Sequence, residues 1–241
     1  MQAAMTDHIL LPFSPQCRTA RFVRREKRFR VEARFQGRQV WAHTNNSGSM
    51  LGLLRPGMEI LLSPAANPAR KLPYTLELVS PWGEWIGVNT LTPNRLLRKV
   101  WEQGLIAELR DYVAYKAEAR VGHSRLDARL DGPGGTFWIE AKNVTLVEDG
   151  VACFPDAVTL RGQKHLEELI SLAGQGVRVG CFYLVQRPDG ECFGPADFVD
   201  PEFARLFYLA MQAGVEMLPF EARVSPRGIG LGKRLQVVAE S

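Results

Sequence analysis

From Ser124 to Lys142 the chain carries two alternations back to back, with a glycine-proline break between them. Leu126, Ala128 and Leu130 alternate with Arg125, Asp127 and Arg129. Beyond Gly132-Pro133-Gly134-Gly135, Phe137, Ile139 and Ala141 alternate with Trp138, Glu140 and Lys142. A period of two marks a strand with one buried face, and a Gly/Pro cluster between two such runs marks a turn. Register is constrained too, because a slip of one residue would turn one apolar set to the wrong face. Pairing Ala128 with Ile139 also sets Leu130 against Phe137 and Leu126 against Ala141, leaving Gly132 to Gly135 as the loop. The same register puts Asp127 opposite Glu140, with Lys142 two residues on.

Like charges directly across a ladder repel, so a plain solvated sheet gains nothing from this pairing. A divalent cation would relieve it. Carboxylate oxygens are the ligands that Mg²⁺ and Mn²⁺ prefer, and such an ion can activate water and clamp a phosphate. Lys142 would then stabilise developing negative charge. Aspartate in one strand and Glu-x-Lys in the next resembles the core of the PD-(D/E)xK nuclease pattern. Asp127, Glu140 and Lys142 are the expected catalytic residues, with Asp127 and Glu140 as ligands for Mg or Mn. All three types are also common on strand surfaces, so the flanking segments matter.

Upstream, Asn94 is placed to cap a helix whose buried side carries Leu96, Leu97, Val100 and Trp101; Gly104 interrupts it, and Leu105, Ile106, Leu109 and Val113 continue the spacing. Glu108 in that second part is the candidate third metal ligand, and Glu118, just before the first strand, is its rival. Downstream, a helix is predicted from about 159 to 173, with Leu166, Leu169, Ile170 and Ala173 as its apolar stripe. Gln163 and Lys164 lie in its first turns, where free backbone amides favour anions, and are expected to serve the site as phosphate contacts. Val177 to Val185 reads as a buried strand, so strand, helix and strand imply parallel pairing and a mixed sheet. A helix at 201–212 and strands at 215–224 and 231–238 follow. The Gly228 to Gly232 run reads as a turn, because no helical pattern follows it as a dinucleotide loop would require.

The first eighty residues hold 12 Lys/Arg against 5 Asp/Glu, while the rest holds 18 against 21. A basic segment joined to a mildly acidic one points to two jobs. Between Arg18 and Arg38 the basic residues fall within strand patterns, and turn signals recur at Gly37, Pro56-Gly57 and Pro64 to Pro68. Several short strands in so short a span point to a small β-barrel of the OB type, whose open face binds oligonucleotides. Arg24, Arg25, Lys27, Arg28, Arg30 and Trp41 are the expected nucleic-acid contacts, the charges meeting phosphate and the rings stacking on bases. Phe22 is a further stacking candidate, whereas Phe29 and Phe35 are assigned to the core. Ser80-Pro81-Trp82-Gly83 is the boundary candidate, giving domains 1–82 and 83–241.

No apolar run approaches a membrane span, and Met1 to Phe13 lacks a basic region followed by an apolar core, so no secretory leader is expected. The four cysteines show no C-x-x-C spacing, which fits reduced thiols in a cytoplasmic protein and argues against a zinc site.

Longer runs carry a more specific likeness. Arg25-Glu26-Lys27-Arg28-Phe29, His43-Thr44-Asn45-Asn46-Ser47-Gly48-Ser49-Met50, Val88-Asn89-Thr90, Ser124 to Asp127, Ile139 to Leu146, Phe154 to Thr159 and Arg161 to Leu166 occur in this order. Together they resemble the sugar fermentation stimulation protein A family of bacteria and archaea. The resemblance implies an N-terminal OB-like barrel, a C-terminal restriction-endonuclease-like α/β domain, DNA binding and a link to the regulation of sugar (maltose) metabolism. It matches Asp127, Glu140 and Lys142 to the nuclease core, and Gln163 and Lys164 to the helix that supports it. Three functions follow as expectations: a DNA-binding regulator, a Mg²⁺- or Mn²⁺-dependent DNA nuclease, and a regulator that binds a small anionic metabolite.

Overall fold

The computed structural model describes residues 8–67, 69–121 and 124–239. Met1 to Asp7 and Pro68, which fall in segments read above, lie outside them. The described chain opens with β1 (Leu11–Pro12) and then winds β2 (Arg18–Glu26), β3 (Arg30–Phe35), β4 (Arg38–His43), β5 (Glu59–Pro64) and β6 (Tyr74–Ser80) into a barrel. Neighbours run β4-β3-β2-β5-β6, and β4 closes onto β6 through Ala42–Tyr74 and His43–Thr75. The alternating residues predicted for these strands fill the barrel: Phe22, Val31, Ala33, Ala42, Ile60 and Leu76 are buried together. A short β7 (Ile86–Gly87) adds to β6.

After α1 (Thr92–Glu102) come β8 (Ala114–Val121), β9 (Ser124–Gly132) and β10 (Gly135–Val144), then β11 (Leu146–Glu148) and β12 (Val151–Phe154). The chain continues with α2 (Leu160–Gly174), β13 (Arg178–Val185), β14 (Cys192–Pro195), α3 (Pro201–Gln212), β15 (Glu216–Ser225), β16 (Gly228–Arg234) and β17 (Gln236–Val237). The main sheet has the order β1-β16-β15-β13-β10-β9-β8. Its centre is parallel, β10 to β13 to β15, and its flanks are antiparallel. The crossover through α2 therefore gives the mixed sheet expected of it. A small sheet, β11-β12-β14-β17, completes the domain.

Both faces of the main sheet are covered, so its central strands are apolar on both sides, as parallel strands must be. Phe137, Ile139, Phe182 and Leu184 face α1 and share a core with Leu61 and Leu78 of the barrel. Trp138, Val179, Cys181 and Tyr183 face α2 and α3, packing against Leu166, Leu169, Phe203 and Phe207.

Four readings need correction. The division between residues 82 and 83 shifts at both ends: β7 pairs with the barrel, while β1 pairs with β16 in the C-terminal sheet. The helical lead-in is shorter than its spacing implied. Ala107–Leu109 is a single 3-10 turn, and residues 114–121 form β8, which pairs with β9. The two glycines flanking Pro133-Gly134 pair with each other, so the hairpin turn is two residues long. The glycine run is a strand, not a turn. A Cβ at Gly230 would lie 2.4 Å from the His8 carbonyl oxygen, and one at Gly228 would lie 2.6 Å from that of Leu11. Glycine is there because β1 lies so close.

The two domains are latched as well as packed. Asp156, between β12 and α2, accepts hydrogen bonds at a carboxylate oxygen from the Met50 amide (2.8 Å) and at its carbonyl from Ser49 Oγ (2.6 Å). A Cβ at Gly48 would stand 2.4 Å from the same carboxylate. Asp156→Ala leaves the amide of buried Met50 without its acceptor, so it is expected to lower stability by about 1–3 kcal/mol. Urea unfolding of the two proteins measures this; an unchanged midpoint would mean the latch contributes nothing.

Candidate functional site

The predicted register runs from Gly132–Gly135 to Ala128–Ile139 and then stops. The β8–β9 ribbon continues paired to Val121–Ser124, so both strands peel away from β10 together. A gap opens at Asp127 and Glu140. Leu126 consequently packs in the α2–α3 core while Ala128 packs in the α1 core, which breaks the alternation that predicted a Leu126–Ala141 pair. The Ala141 amide, left without a ladder partner on β9, donates instead to Asp127 Oδ2 (2.8 Å). Asp127 Oδ1 accepts from Asn94 Nδ2 of α1 at 2.6 Å. Asn94 therefore holds a site carboxylate and caps nothing; α1 begins at Thr92 without a side-chain cap.

Glu140 is 4% exposed, on the α2 side of the sheet. Its Oε1 accepts from Lys142 Nζ at 2.6 Å and is also hydrogen-bonded to Nδ1 of His165 on α2. Arg161 Nε lies 3.5 Å from His165 Nε2. Lys142 Nζ also lies 3.2 Å from His165 Nδ1, so ammonium, imidazole and carboxylate meet at one point. Glu140 Oε2 is buried with no hydrogen-bond partner. Such an atom costs free energy unless something satisfies it.

The two carboxyls are driven apart in acidity. Burial and then the charge of Glu140 raise Asp127 to about 6, against the lowering effect of the Ala141 amide, Lys142 and Asn94. Burial also opposes ionisation of Glu140, but the Lys142 ammonium and the His165 hydrogen bond outweigh it and hold Glu140 at about 2. Two carboxyls pushed apart in this way mark acid-base or metal chemistry.

The other expected site residues lie elsewhere. Gln163 Nε2 donates to Asp200 Oδ1 (2.8 Å), the residue that caps α3, so it ties two helices together. Lys164 is exposed on α2, whose buried side carries Gly162, His165, Leu166, Leu169 and Leu172. Glu108 is paired with Arg234, and its other charged neighbour, Arg178, sits opposite Phe137 at the far end of the β10–β13 pairing from Lys142. It is not brought to Asp127 and Glu140. Glu118 lies within β8 and pairs with Arg125 at 2.9 Å. His165 and Asn94 were missed. For His165 a signal existed: it is a histidine on the apolar stripe of an amphipathic helix, i and i+4 with Leu169. Nothing in the sequence marks Asn94 as a partner of Asp127, because the contact spans 33 residues.

The basic residues of the barrel divide by role. Arg25 is structural, donating to the carbonyls of Arg28 (2.6 Å), Gly48 (2.9 Å) and Asn46 (2.7 Å). Arg24 is paired with Glu26 and Glu32. Lys27 and Arg28 form the β2–β3 turn, both exposed and both with positive φ. Arg30 lies 4.3 Å from the Trp41 ring centre, and Lys71 borders the same hollow. The aromatic assignments exchange places. Phe22 is buried in the barrel, whereas Phe29 is 42% exposed and stacked on His43. The surviving candidate face is Arg30, Trp41, Lys71, Phe29 and His43.

Residues 23–88 match the family described as SfsA N-terminal OB domain, and residues 91–228 match the Sugar fermentation stimulation protein RE domain. A sugar fermentation stimulation protein homolog of Syntrophobacter fumaroxidans is 59% identical over 229 residues, covering 95% of this chain and 88% of its own. The homolog of Maridesulfovibrio salexigens is 57% identical over 233 residues, covering 95% and 98%. A solved structure of Pyrococcus furiosus SfsA in complex with Ca²⁺ superposes with a TM-score of 0.90 at 30% identity, covering 96% of this chain and all of that one. With an OB barrel and a restriction-endonuclease-like domain in the family's order, this chain belongs to the sugar fermentation stimulation protein family.

Proposed function

We propose that this protein binds DNA and hydrolyses its phosphodiester bonds with a divalent cation, Mg²⁺ or Mn²⁺, held by Asp127 and Glu140. The observation that carries the reading is the strand gap. It brings two carboxylates together, one raised in pKa by burial and then by the other's charge, with an unpartnered buried oxygen on Glu140. Among the described residues no cluster of three or more His, Cys, Asp or Glu offers a complete protein cage. Two carboxylates suit Mg²⁺, which keeps several waters and takes the remainder of its shell from substrate phosphate. The Pyrococcus furiosus SfsA structure is a complex with Ca²⁺, a cation that takes oxygen ligands, and this supports the reading. When bound, such a cation neutralises phosphate charge and lowers the pKa of a coordinated water.

The residues of the chain do the rest. Lys142, fixed by Glu140, presents an ammonium where charge develops on the phosphate. His165 and Asn94 hold the two carboxylates in place, and Arg161 stands beside His165. The barrel supplies the grip on the backbone through Arg30, Trp41 and Lys71. A role as a regulator of sugar metabolism, which the family's name carries, would act through this binding.

Calorimetry with Mn²⁺ on wild type and Glu140→Gln tests the site, with DNA cleavage followed under the same conditions. The variant is expected to lose metal binding, and Asp127→Ala to lose cleavage by roughly a hundredfold or more while retaining DNA binding. Equal cleavage by Asp127→Ala would overturn the reading.

Without metal, the Asp127 carboxylate destabilises the fold, and the sign is definite. Its folded pKa of about 6 lies above the ordinary 3.8, so the native state holds the proton more tightly. The fold therefore loses stability as pH rises from about 4 to about 6. In EDTA, Asp127→Asn should be more stable than wild type at pH 8, by on the order of 1–2 kcal/mol. The gap should close near pH 4, and Mn²⁺ should stabilise wild type only. Thermal melts at the two pH values decide this.

Replacing Arg30, Trp41 and Lys71 together by alanine should weaken DNA binding and flatten its dependence on salt. Anisotropy titrations across a salt series would show neither change if another surface binds DNA.

A further inference from the structure

Between barrel and nuclease-like domain lies a cleft of about 470 Å³. One wall is barrel: Arg28 and the Asn46-Ser47-Gly48 loop. The other is Asn143 and Thr145 at the end of β10, with the segment from Phe154 to Arg161. Three features define what it would hold. Two exposed cations, Arg28 and Arg161, stand on its walls, with one acid, Asp156, whose carboxylate accepts from the Met50 amide. Its polar groups include Ser47, Asn143 and Thr145. Its rim carries bare apolar surface, with Val158 67% and Leu160 76% exposed.

The cleft borders the candidate active site through Arg161, whose Nε lies 3.5 Å from Nε2 of the His165 that holds Glu140. Its barrel wall is built with some care. The Arg25 guanidinium ties the carbonyl of Arg28 to those of Asn46 and Gly48, so the Arg28 turn and the loop form one unit. Asp156 clamps that loop to the other wall. A volume of this size suits a drug-sized group, which for nucleic acid means a nucleotide or two.

We infer that this cleft is the channel for a single strand: Arg28 and Arg161 take the phosphates flanking the scissile bond, and Val158 and Leu160 meet unpaired bases. This rests on the phosphodiesterase reading and deepens it, naming single-stranded nucleic acid as the substrate class. Cations for the backbone and apolar surface for the base faces are what sequence-tolerant single-strand binding needs.

The test is anisotropy with a labelled oligothymidylate of about 15 nucleotides and a blunt duplex of the same length, in Ca²⁺. The proteins are wild type, Arg28→Glu, Arg161→Glu and, as a control of equal charge, Arg38→Glu at the other end of β4 from the loop. Wild type should bind the single strand about tenfold tighter than the duplex, and each cleft reversal should cost about tenfold while the control costs much less. Equal binding of duplex and single strand, or cleft reversals that cost no more than Arg38→Glu, would overturn the inference. Cleavage of the same oligonucleotides in Mn²⁺ separates the two readings. Cleft-dependent single-strand binding without cleavage would sink the metal chemistry and leave the channel. Cleavage indifferent to Arg28 and Arg161 would sink the channel and leave the chemistry.

Discussion

Where β9 leaves β10, a backbone amide loses its ladder partner and a carboxylate takes its place. That exchange, Ala141 to Asp127, is what the candidate site depends on. Had the ladder continued, the amide would have been used within the sheet and Asp127 would have stood directly opposite Glu140. With the strands parted, it is half-buried beside Glu140, and each carboxylate feels the other. Two like charges out of water need cations or protons to stay. The protein supplies one cation, Lys142, and leaves Glu140 Oε2 without a partner. The imbalance is the structural argument for a bound metal.

The residues behind the carboxylates explain why the gap is held open in one geometry. Asn94 approaches from α1 on one side of the sheet and His165 from α2 on the other. The two helices that cover the sheet for hydrophobic reasons thereby also position its acids. Packing and chemistry are coupled: moving α2 against β13 would move His165, and with it the preferred orientation of Glu140.

The barrel joins the same system through a shared core around Leu61 and Leu78 and through the Asp156 latch. Its most conspicuous arginine, Arg25, is spent on three carbonyls within the fold, and Arg24 on two glutamates. Charge density alone therefore overstates the surface available to a polyanion. Of the expected contacts, Arg30 over Trp41, with Lys71 beside them, and Lys27 and Arg28 at the β2–β3 turn remain available.

Local pattern was enough for much of this. Period-two alternation placed the β9–β10 hairpin and its register as far as Ala128–Ile139, and the barrel strands besides. Helical periodicity placed α2 within a residue at each end and α3 at both ends. Those features depend on neighbours in sequence, so they can be read there, as can the identities of Asp127, Glu140 and Lys142. Tertiary structure decided the rest, because the deciding contacts link distant residues. It alone determined where the ladder stops, that His165 rather than Gln163 or Lys164 faces the site, that Glu108 belongs to Arg234, and that β1 crosses into the second domain's sheet. An aspartate on a strand is the same letter whether it faces water or another carboxylate. Only the packing of two helices and a parted sheet, which set its distance from water and from Glu140, turns it into a candidate site.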